Sequence, residues 1–169
     1  MGEKSKAPIL IVEDEESMRE ALRDWLTEGG YTVETAKDGE DGLKIISEHD
    51  ISLVLLDLRL PGKDGISVLK EAKTIRPQLK VIIITAYPSP QTKTTALKEG
   101  AVDYVPKPFD LNDLEKLIRG TLLPAAPKGE AIALLDVVKG EEGLKFTLKG
   151  WEYIDAYLDS GIRDKSRKK

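Results

Sequence analysis

Residues 53–65, LVLLDLRLPGKDG, run from aliphatic residues into an aspartate, a loop and the start of a helix. A continuous aliphatic run is typical of a strand that is buried on both faces of a parallel sheet. Asp64 can cap the helix that follows, and Pro77 favours an end to that helix before it. The stretch therefore predicts a strand, a loop and a helix, with Asp57 at the carboxyl end of the strand.

Similar units lie on both sides of this stretch. Two other aliphatic runs, PILIV (8–12) and VIIIT (81–85), predict central strands, while YTVETA (31–36) and DYVP (103–106) predict shorter edge strands. Helical patterns separate these strands, and the first helix ends at Gly29–Gly30. The predicted caps of three other helices are Asp38, Asp64 and Ser89, and the last helix is predicted to begin at Asp110. Five such units joined by right-handed crossovers predict an α/β fold with a doubly wound, five-stranded parallel sheet.

Composition limits the classes of function. The 169 residues include no cysteine, which excludes disulfides and thiolate metal sites. The formal net charge of −4 offers no broad electrostatic attraction for nucleic acid, which we expect to be an unlikely partner. The sequence has no apolar run approaching about 20 residues and no apolar signal core at its start. We therefore expect a cytoplasmic protein with no membrane segment.

The residues that follow the strands carry the chemistry. Open parallel sheets bind ligands at the carboxyl ends of their strands. The residues at these ends are Glu13, Asp14, Asp57, Thr85 and Lys107. Three ionised carboxylates close together repel one another, which costs free energy unless a cation binds between them. Mg2+ is a cation that suits oxygen ligands. Asp57 is then a candidate nucleophile for a phosphoryl group, with Lys107 neutralising charge on the transferred oxygens and Thr85 donating a hydrogen bond.

Four segments together resemble one known family. They are ILIVEDE (9–15), LVLLDLRLPGKDG (53–65), VIIITAY (81–87) and DYVPKPF (103–109). In this order they are similar to the receiver domain of response regulators in two-component signalling, over residues 1–122. The resemblance implies a flavodoxin-like sheet with strand order 2-1-3-4-5. The segments ITAYPSP (84–90) and AVDYVPKPF (101–109) are most similar in sequence to receivers of the nitrogen-regulator type.

The resemblance also implies a role for each residue at the strand ends. The phosphoacceptor is Asp57, its partners are Thr85 and Lys107, and the Mg2+ ligands are Glu13, Asp14, Asp57 and the backbone carbonyl of Arg59. Tyr104 matches the switch aromatic of the family, and Lys107–Pro108 matches a cis peptide bond. From its place in an edge strand alone, Tyr104 is expected to be half-buried.

A receiver needs partners. The resemblance implies a histidine kinase that donates the phosphoryl group to Asp57, and phosphorylation would bias the face built from residues 90–122 toward a second arrangement. That face would then serve a homodimer or a downstream protein partner. No enzyme activity is expected beyond self-phosphorylation and self-dephosphorylation at Asp57.

Each residue at the strand ends also has an ordinary structural interpretation. Acidic residues after a strand often mark a helix N-terminus, which is how we interpret Glu15 and Glu16. Asp57 alone could cap a turn, and Lys107 alone could be a surface lysine, but their joint placement favours the functional interpretation. A phosphatase of the haloacid-dehalogenase type would need a second aspartate at the place of Arg59, so that enzyme class is not expected.

The chain after residue 122 departs from this pattern. LLPAAPKGE (122–130) contains prolines, small residues and a glycine, and it predicts a linker over 123–129. Residues 130–169 form a C-terminal extension of unknown role, which contains Phe146, Trp151, Tyr153 and Tyr157. These aromatic residues argue against pure disorder and favour packing on the receiver, pairing between protomers or docking of a partner. The alternative function is a transcription regulator that binds DNA through this extension, although the sequence has no convincing helix-turn-helix.

Overall fold

The computed structural model of the chain describes residues 8–123. The strands are β1 (Ile9–Val12), β2 (Val33–Ala36), β3 (Leu53–Asp57), β4 (Lys80–Thr85) and β5 (Asp103–Pro106). The helices are α1 (Glu16–Glu28), α2 (Gly39–Glu48), α3 (Gly65–Ile75), α4 (Pro90–Lys98) and α5 (Leu111–Leu122). The strands pair in parallel in the order β2-β1-β3-β4-β5. The predicted flavodoxin-like fold is therefore confirmed, and the two predicted edge strands are the edges of the sheet.

The strands and α1–α4 belong to one compact unit, which ends at Phe109, and a second unit starts at Asp110. The predicted linker and extension (123–129 and 130–169) lie outside the described residues, apart from Leu123. Within the described range, every helix is too short or too polar to cross a bilayer.

The aliphatic runs are continuous because both faces of the sheet are covered. One face packs with residues of α2, α3 and α4. The strand residues on this face are Leu10, Val12, Val54, Leu56, Val81 and Ile83. On the opposite face α1 lies beside β1 and β2, with Leu22 and Leu26 buried. Successive strand residues point to opposite faces of the sheet. A polar residue in a central strand would therefore be buried whichever face it pointed to.

All three predicted helix caps are present, and Asp110, the predicted start of the last helix, is a cap as well. Asp38 accepts a hydrogen bond from the backbone amide of Asp41, and Asp64 accepts one from the amide of Ser67. Ser89 and Asp110 cap α4 and α5 in the same way. Each cap satisfies amides that have no partner inside the helix and places the helix start directly after the loop that leaves a strand. The loops after β3 and β4, which follow Asp57 and Thr85, therefore each end at a capped helix start.

Replacing Asp64 with alanine is expected to lower the free energy of unfolding by about 1 kcal/mol at neutral pH. The hydrogen bond from the Ser67 hydroxyl holds the pKa of Asp64 below its ordinary value. The stabilisation from this low pKa is complete above the pKa of an unfolded aspartate, about 3.9, and is lost as the pH falls through the lower folded-state pKa.

Urea unfolding of the wild type and of Asp64→Ala, at neutral pH and near pH 3, checks this expectation. The difference between the two proteins should shrink at the acid pH. Asp64→Asn, which keeps an acceptor oxygen, serves as the control. An equal difference at both pH values would contradict the role of the charged cap.

Candidate functional site

The carboxyl ends of β1, β3 and β5 bring three charged side chains together. Lys107 follows β5, and its Nζ atom donates to Glu13 Oε2 at 2.7 Å and to Asp57 Oδ2 at 2.8 Å. Glu13 follows β1, and Asp57 is the last residue of β3. The predicted convergence of these residues at one edge of the sheet is therefore confirmed as geometry.

All three side chains are largely buried. The side chain of Lys107 is 12% exposed, that of Glu13 5% and that of Asp57 8%. Burial raises the pKa of Glu13 above its ordinary value, and the hydrogen bond from Lys107 offsets only part of that effect. Burial favours the neutral amine of Lys107, but the hydrogen bonds and charges of Asp57 and Glu13 outweigh burial and raise the pKa of Lys107. Both directions fit one ammonium group placed between two buried carboxylates.

Backbone amides fix the orientation of both carboxylates. Asp57 Oδ1 accepts a hydrogen bond from the amide of Arg59 at 2.9 Å, and Glu13 Oε1 accepts one from the amide of Glu15 at 3.1 Å. Each carboxylate thus gives one oxygen to a nearby backbone amide and the other oxygen to Lys107. The two side chains are held in place by the loops from which they project.

Glu13, Asp14 and Asp57 each offer a carboxylate oxygen, and these oxygens lie within 4.8 Å of one another. Asp14 is exposed, whereas Glu13 and Asp57 are buried. Hard oxygen ligands around a partly open position suit Mg2+, which keeps several of its waters. The donor set therefore fits the predicted cation. The role of the Arg59 carbonyl as a further ligand stays a prediction.

Thr85 is the last residue of β4, the strand between β3 and β5. It is fully buried, and its hydroxyl accepts a hydrogen bond from the amide of Tyr87 at 3.1 Å, so its own proton is available to another acceptor. The backbone oxygen of Thr85 accepts a hydrogen bond from the amide of Lys107 at 2.7 Å. The Lys107–Pro108 bond is cis, as the resemblance implied.

The loops after β3 and β4 contact each other through a stacked pair of side chains. The guanidinium carbon of Arg59 lies 3.6 Å from the centroid of the Tyr87 ring. Tyr87 is 59% exposed, so the pair faces solvent. A cation–π contact of this kind restrains both loops.

Two residues of the site were missed by sequence reasoning. Arg19 Nη1 donates to the backbone oxygens of Glu13 at 2.8 Å and of Asp14 at 3.3 Å, and so ties α1 to the acidic loop. Gly65 lies so close to the end of β3 that a Cβ atom would be 2.3 Å from the backbone oxygen of Asp57. The Asp64–Gly65 pair after a predicted loop was a signal for the second residue, whereas nothing in the sequence pointed to Arg19.

The expected half-burial of Tyr104 is wrong. This residue is only 6% exposed, and its ring points inward among the residues that pack against α2–α4. Its hydroxyl accepts a hydrogen bond from the amide of Ser89 at 3.3 Å and lies 2.6 Å from Thr92 Oγ1. A tyrosine can be buried at a sheet edge when its hydroxyl finds such partners.

Comparison with known families agrees with this geometry. The sequence model of one protein family, the response regulator receiver domain, matches residues 9–119 of this chain. The chain belongs to the receiver-domain family of response regulators. Receiver domains are the phospho-accepting signalling domains of two-component systems, and they bind Mg2+ at an acidic pocket.

Curated relatives of this receiver are longer proteins. Response regulator MprA of Mycobacterium sp. (strain KMS) is 35% identical over 133 residues, which are 76% of this chain and 58% of the relative. The uncharacterized transcriptional regulatory protein YkoG of Bacillus subtilis is 42% identical over 127 residues, covering 75% of this chain and 56% of the relative. Transcriptional regulatory protein ZraR of Salmonella typhimurium is 39% identical over 119 residues, which cover 70% of this chain and 27% of the relative. The chain spans less than two thirds of these relatives. YkoG and ZraR are named as transcriptional regulatory proteins. The comparison therefore does not support the expectation that nucleic acid is an unlikely partner.

Solved receiver structures have the same fold. A CheY-like receiver domain protein from Methanospirillum hungatei is 34% identical, with a TM-score of 0.68 and coverage of 70% of this chain and 94% of that one. TrrA from Thermotoga maritima, solved in complex with Mg2+–BeF, is 34% identical, with a TM-score of 0.63. The match covers 69% of this chain and 99% of TrrA.

Proposed function

We propose that this receiver takes a phosphoryl group on Asp57 from a histidine kinase. The observation that supports this most directly is the position of the Asp57 carboxylate, which is held between the Arg59 amide and the Lys107 ammonium. A carboxylate is itself a nucleophile, so the attack on phosphorus needs no general base.

In the proposed transfer, an oxygen of Asp57 forms a bond to phosphorus while the bond from phosphorus to the nitrogen of the donor histidine breaks. The electron pair of that bond stays on the histidine nitrogen, and Asp57 becomes an acyl phosphate. Lys107 neutralises negative charge that moves onto the transferred oxygens, and Thr85 donates its hydroxyl hydrogen to one of them. Loss of the phosphoryl group would be a separate hydrolysis, in which a water oxygen bonds to phosphorus while the bond from phosphorus to the Asp57 oxygen breaks. This step would release inorganic phosphate and restore the carboxylate, and we propose no other enzyme activity.

Glu13, Asp14 and Asp57, with the backbone carbonyl of Arg59, would hold Mg2+ in this site. The bound ion would supply further neutralisation of charge on the phosphoryl oxygens. The chain's own contribution is to orient Glu13 and Asp57 through the amides of Glu15 and Arg59 and to keep the site largely dry.

The proposed output is a shift between two arrangements of the segment 90–122, which Thr85 and Tyr104 would control. A phosphoryl group that attracts the Thr85 hydroxyl favours the arrangement with Tyr104 inward, and the other arrangement has the ring turned outward. The segment would then bind a second copy of the chain or a downstream protein. In addition, the names of the longer relatives make transcriptional control through residues 130–169 a second candidate. Salt-dependent binding to duplex DNA would be its signature.

Incubation with acetyl phosphate and Mg2+, followed by intact mass measurement, tests the central proposal. We expect the mass of one phosphoryl group to be added to the wild type and to Asp50→Asn, which removes an exposed aspartate. Asp57→Asn should show no adduct. An adduct that persists in Asp57→Asn would contradict the assignment.

A wild-type protein that is folded but unmodified would require a beryllofluoride-binding test. Binding would indicate fast loss of the phosphoryl group, and its absence would indicate a receiver that signals without phosphorylation. The same samples on a sizing column would report whether phosphorylation changes the assembly.

A further inference from the structure

Three hydroxyl groups form a continuous cluster between α4 and β5. Thr92 Oγ1 lies 2.9 Å from Ser89 Oγ and 2.6 Å from the hydroxyl of Tyr104. The amide of Ser89 also donates to the Tyr104 hydroxyl at 3.3 Å. This hydroxyl cluster, Ser89, Thr92 and Tyr104, connects the first turn of α4 to the inward ring of Tyr104.

The protons of the hydroxyl cluster have a consistent assignment. The amide of Ser89 donates to the Tyr104 hydroxyl, the Tyr104 hydroxyl donates to Thr92 Oγ1, and the Thr92 hydroxyl donates to the backbone oxygen of Ser89 at 3.2 Å. Each donor is then used once, and the Tyr104 hydroxyl both donates and accepts. In this assignment Thr92 accepts the phenolic proton, and with either direction of the bond a residue without an oxygen at this position would leave the Tyr104 hydroxyl without this partner.

The hydroxyl cluster is also joined to Thr85 by a short loop. Ser89 lies only four residues after Thr85, and the loop between them includes Pro88, which limits its freedom. Tyr104 pairs with Ile83 in the sheet, so strand alternation puts its ring on the same face as Thr85. A displacement of Thr85 would therefore act on a loop whose far end is hydrogen-bonded to the Tyr104 hydroxyl.

We propose that Thr92 is a positioning residue whose hydroxyl holds Tyr104 inward and so sets how readily this receiver enters its phosphorylated arrangement. The proposal rests on the proposed function of Asp57 and adds to it a residue of α4 that touches neither the phosphoryl group nor the metal ligands. The inward ring is one of two arrangements, and a hydrogen bond made only in one of them shifts the population toward it.

Thr92→Val tests this with little change in shape, because valine and threonine are both β-branched and close in size. The backbone amide of residue 92 still donates to Ser89 Oγ, so the cap of α4 is kept. Thr92→Ser restores a hydroxyl, and Thr94→Val makes the same change at an exposed position of the same helix. Tyrosine-labelled protein, with the Tyr104 resonance assigned from Tyr104→Phe, reports the ring directly by NMR.

We expect the Tyr104 ring of Thr92→Val to become more accessible to a soluble paramagnetic agent, and Thr92→Ser and Thr94→Val to match the wild type. We also expect beryllofluoride with Mg2+ to bind Thr92→Val about 2- to 10-fold more weakly, the range that one hydrogen bond supplies. In the Tyr104→Phe background, Thr92→Val should have no further effect on that affinity.

The proposal is overturned if the ring of Thr92→Val is as protected as in the wild type, or if Thr94→Val changes ring and affinity as much as Thr92→Val does. It is also overturned if Thr92→Val still weakens binding in the Tyr104→Phe background. Failure of the proposed function looks different. In that case the wild type takes no phosphoryl group and binds no beryllofluoride, while the NMR experiment on the unphosphorylated protein still reports whether Thr92 holds the ring.

Discussion

Gly65→Ala is expected to lower the free energy of unfolding by about 3 kcal/mol and to weaken phosphoryl transfer to Asp57. An alanine Cβ at this position would lie 2.3 Å from the backbone oxygen of Asp57 and 2.6 Å from the Cα atom of Leu58. Both are backbone atoms, so no side-chain rotation can make room. The start of α3 and the end of β3 would have to separate, although the amide of Gly65 now donates to the backbone oxygen of Leu58 at 2.9 Å.

The matched control is Gly120→Ala in α5. Among residues 8–123, a Cβ atom there would meet nothing within 4 Å. Alanine is favoured over glycine inside a helix, so this variant should be more stable than the wild type by up to about 1 kcal/mol. Urea unfolding followed by circular dichroism measures both variants. If Gly65→Ala is as stable as the wild type, the close approach of α3 to β3 is not needed.

Lys107→Met is expected to cost about 3 kcal/mol of stability at neutral pH without divalent cations. The substitution keeps an apolar stem of similar length but leaves the carboxylates of Glu13 and Asp57 facing each other. Both are buried, and each now receives a hydrogen bond from Lys107. Added Mg2+ should restore part of the stability, because a cation bound by the folded state alone stabilises it.

Two comparisons make the Lys107→Met result specific. Lys63→Met breaks an ion pair of similar length with Glu71, but that pair is exposed, so its loss should cost less than about 1 kcal/mol. Asp57→Asn removes one of two repelling carboxylates, but its single side-chain oxygen can accept from the Arg59 amide or from Lys107 and not from both, so it should cost less stability than Lys107→Met. Equal costs for Lys107→Met and Lys63→Met in urea unfolding would refute the view that burial of the charges decides the energetics.

The fold was predictable from local patterns. The aliphatic runs around Leu53–Asp57 and Lys80–Thr85 indicated central strands because a strand covered on both faces has no polar position to spare. Asp38 and Asp64 indicated helix starts because a side-chain oxygen satisfies an amide only three residues away. Such interactions involve a few neighbouring residues, so the sequence around them contains all the necessary information.

The residues of the site could be predicted from the sequence, but most of the contacts between them could not. Asp57, Thr85 and Lys107 could be named because each follows a predicted strand, and parallel strands end at one edge. The double hydrogen bond of Lys107 could not be derived in that way, since its partner Glu13 is 94 residues distant in sequence. Arg19 escaped notice because an arginine in an amphipathic helix looks like any exposed charge until its contacts with the Glu13 and Asp14 carbonyls are seen.

The sequence by itself determined where strands and helices begin and which residue types stand at the strand ends, because these depend on local hydrogen bonds and on burial of short segments. Only the tertiary structure decided that Gly65 must lack a side chain, that Lys107 lies between two carboxylates, and that Tyr104 is inward with its hydroxyl on Thr92. These features depend on distances of a few ångströms between elements remote along the chain. Such distances result from the packing of the whole sheet and its helices, and no short stretch of residues specifies them.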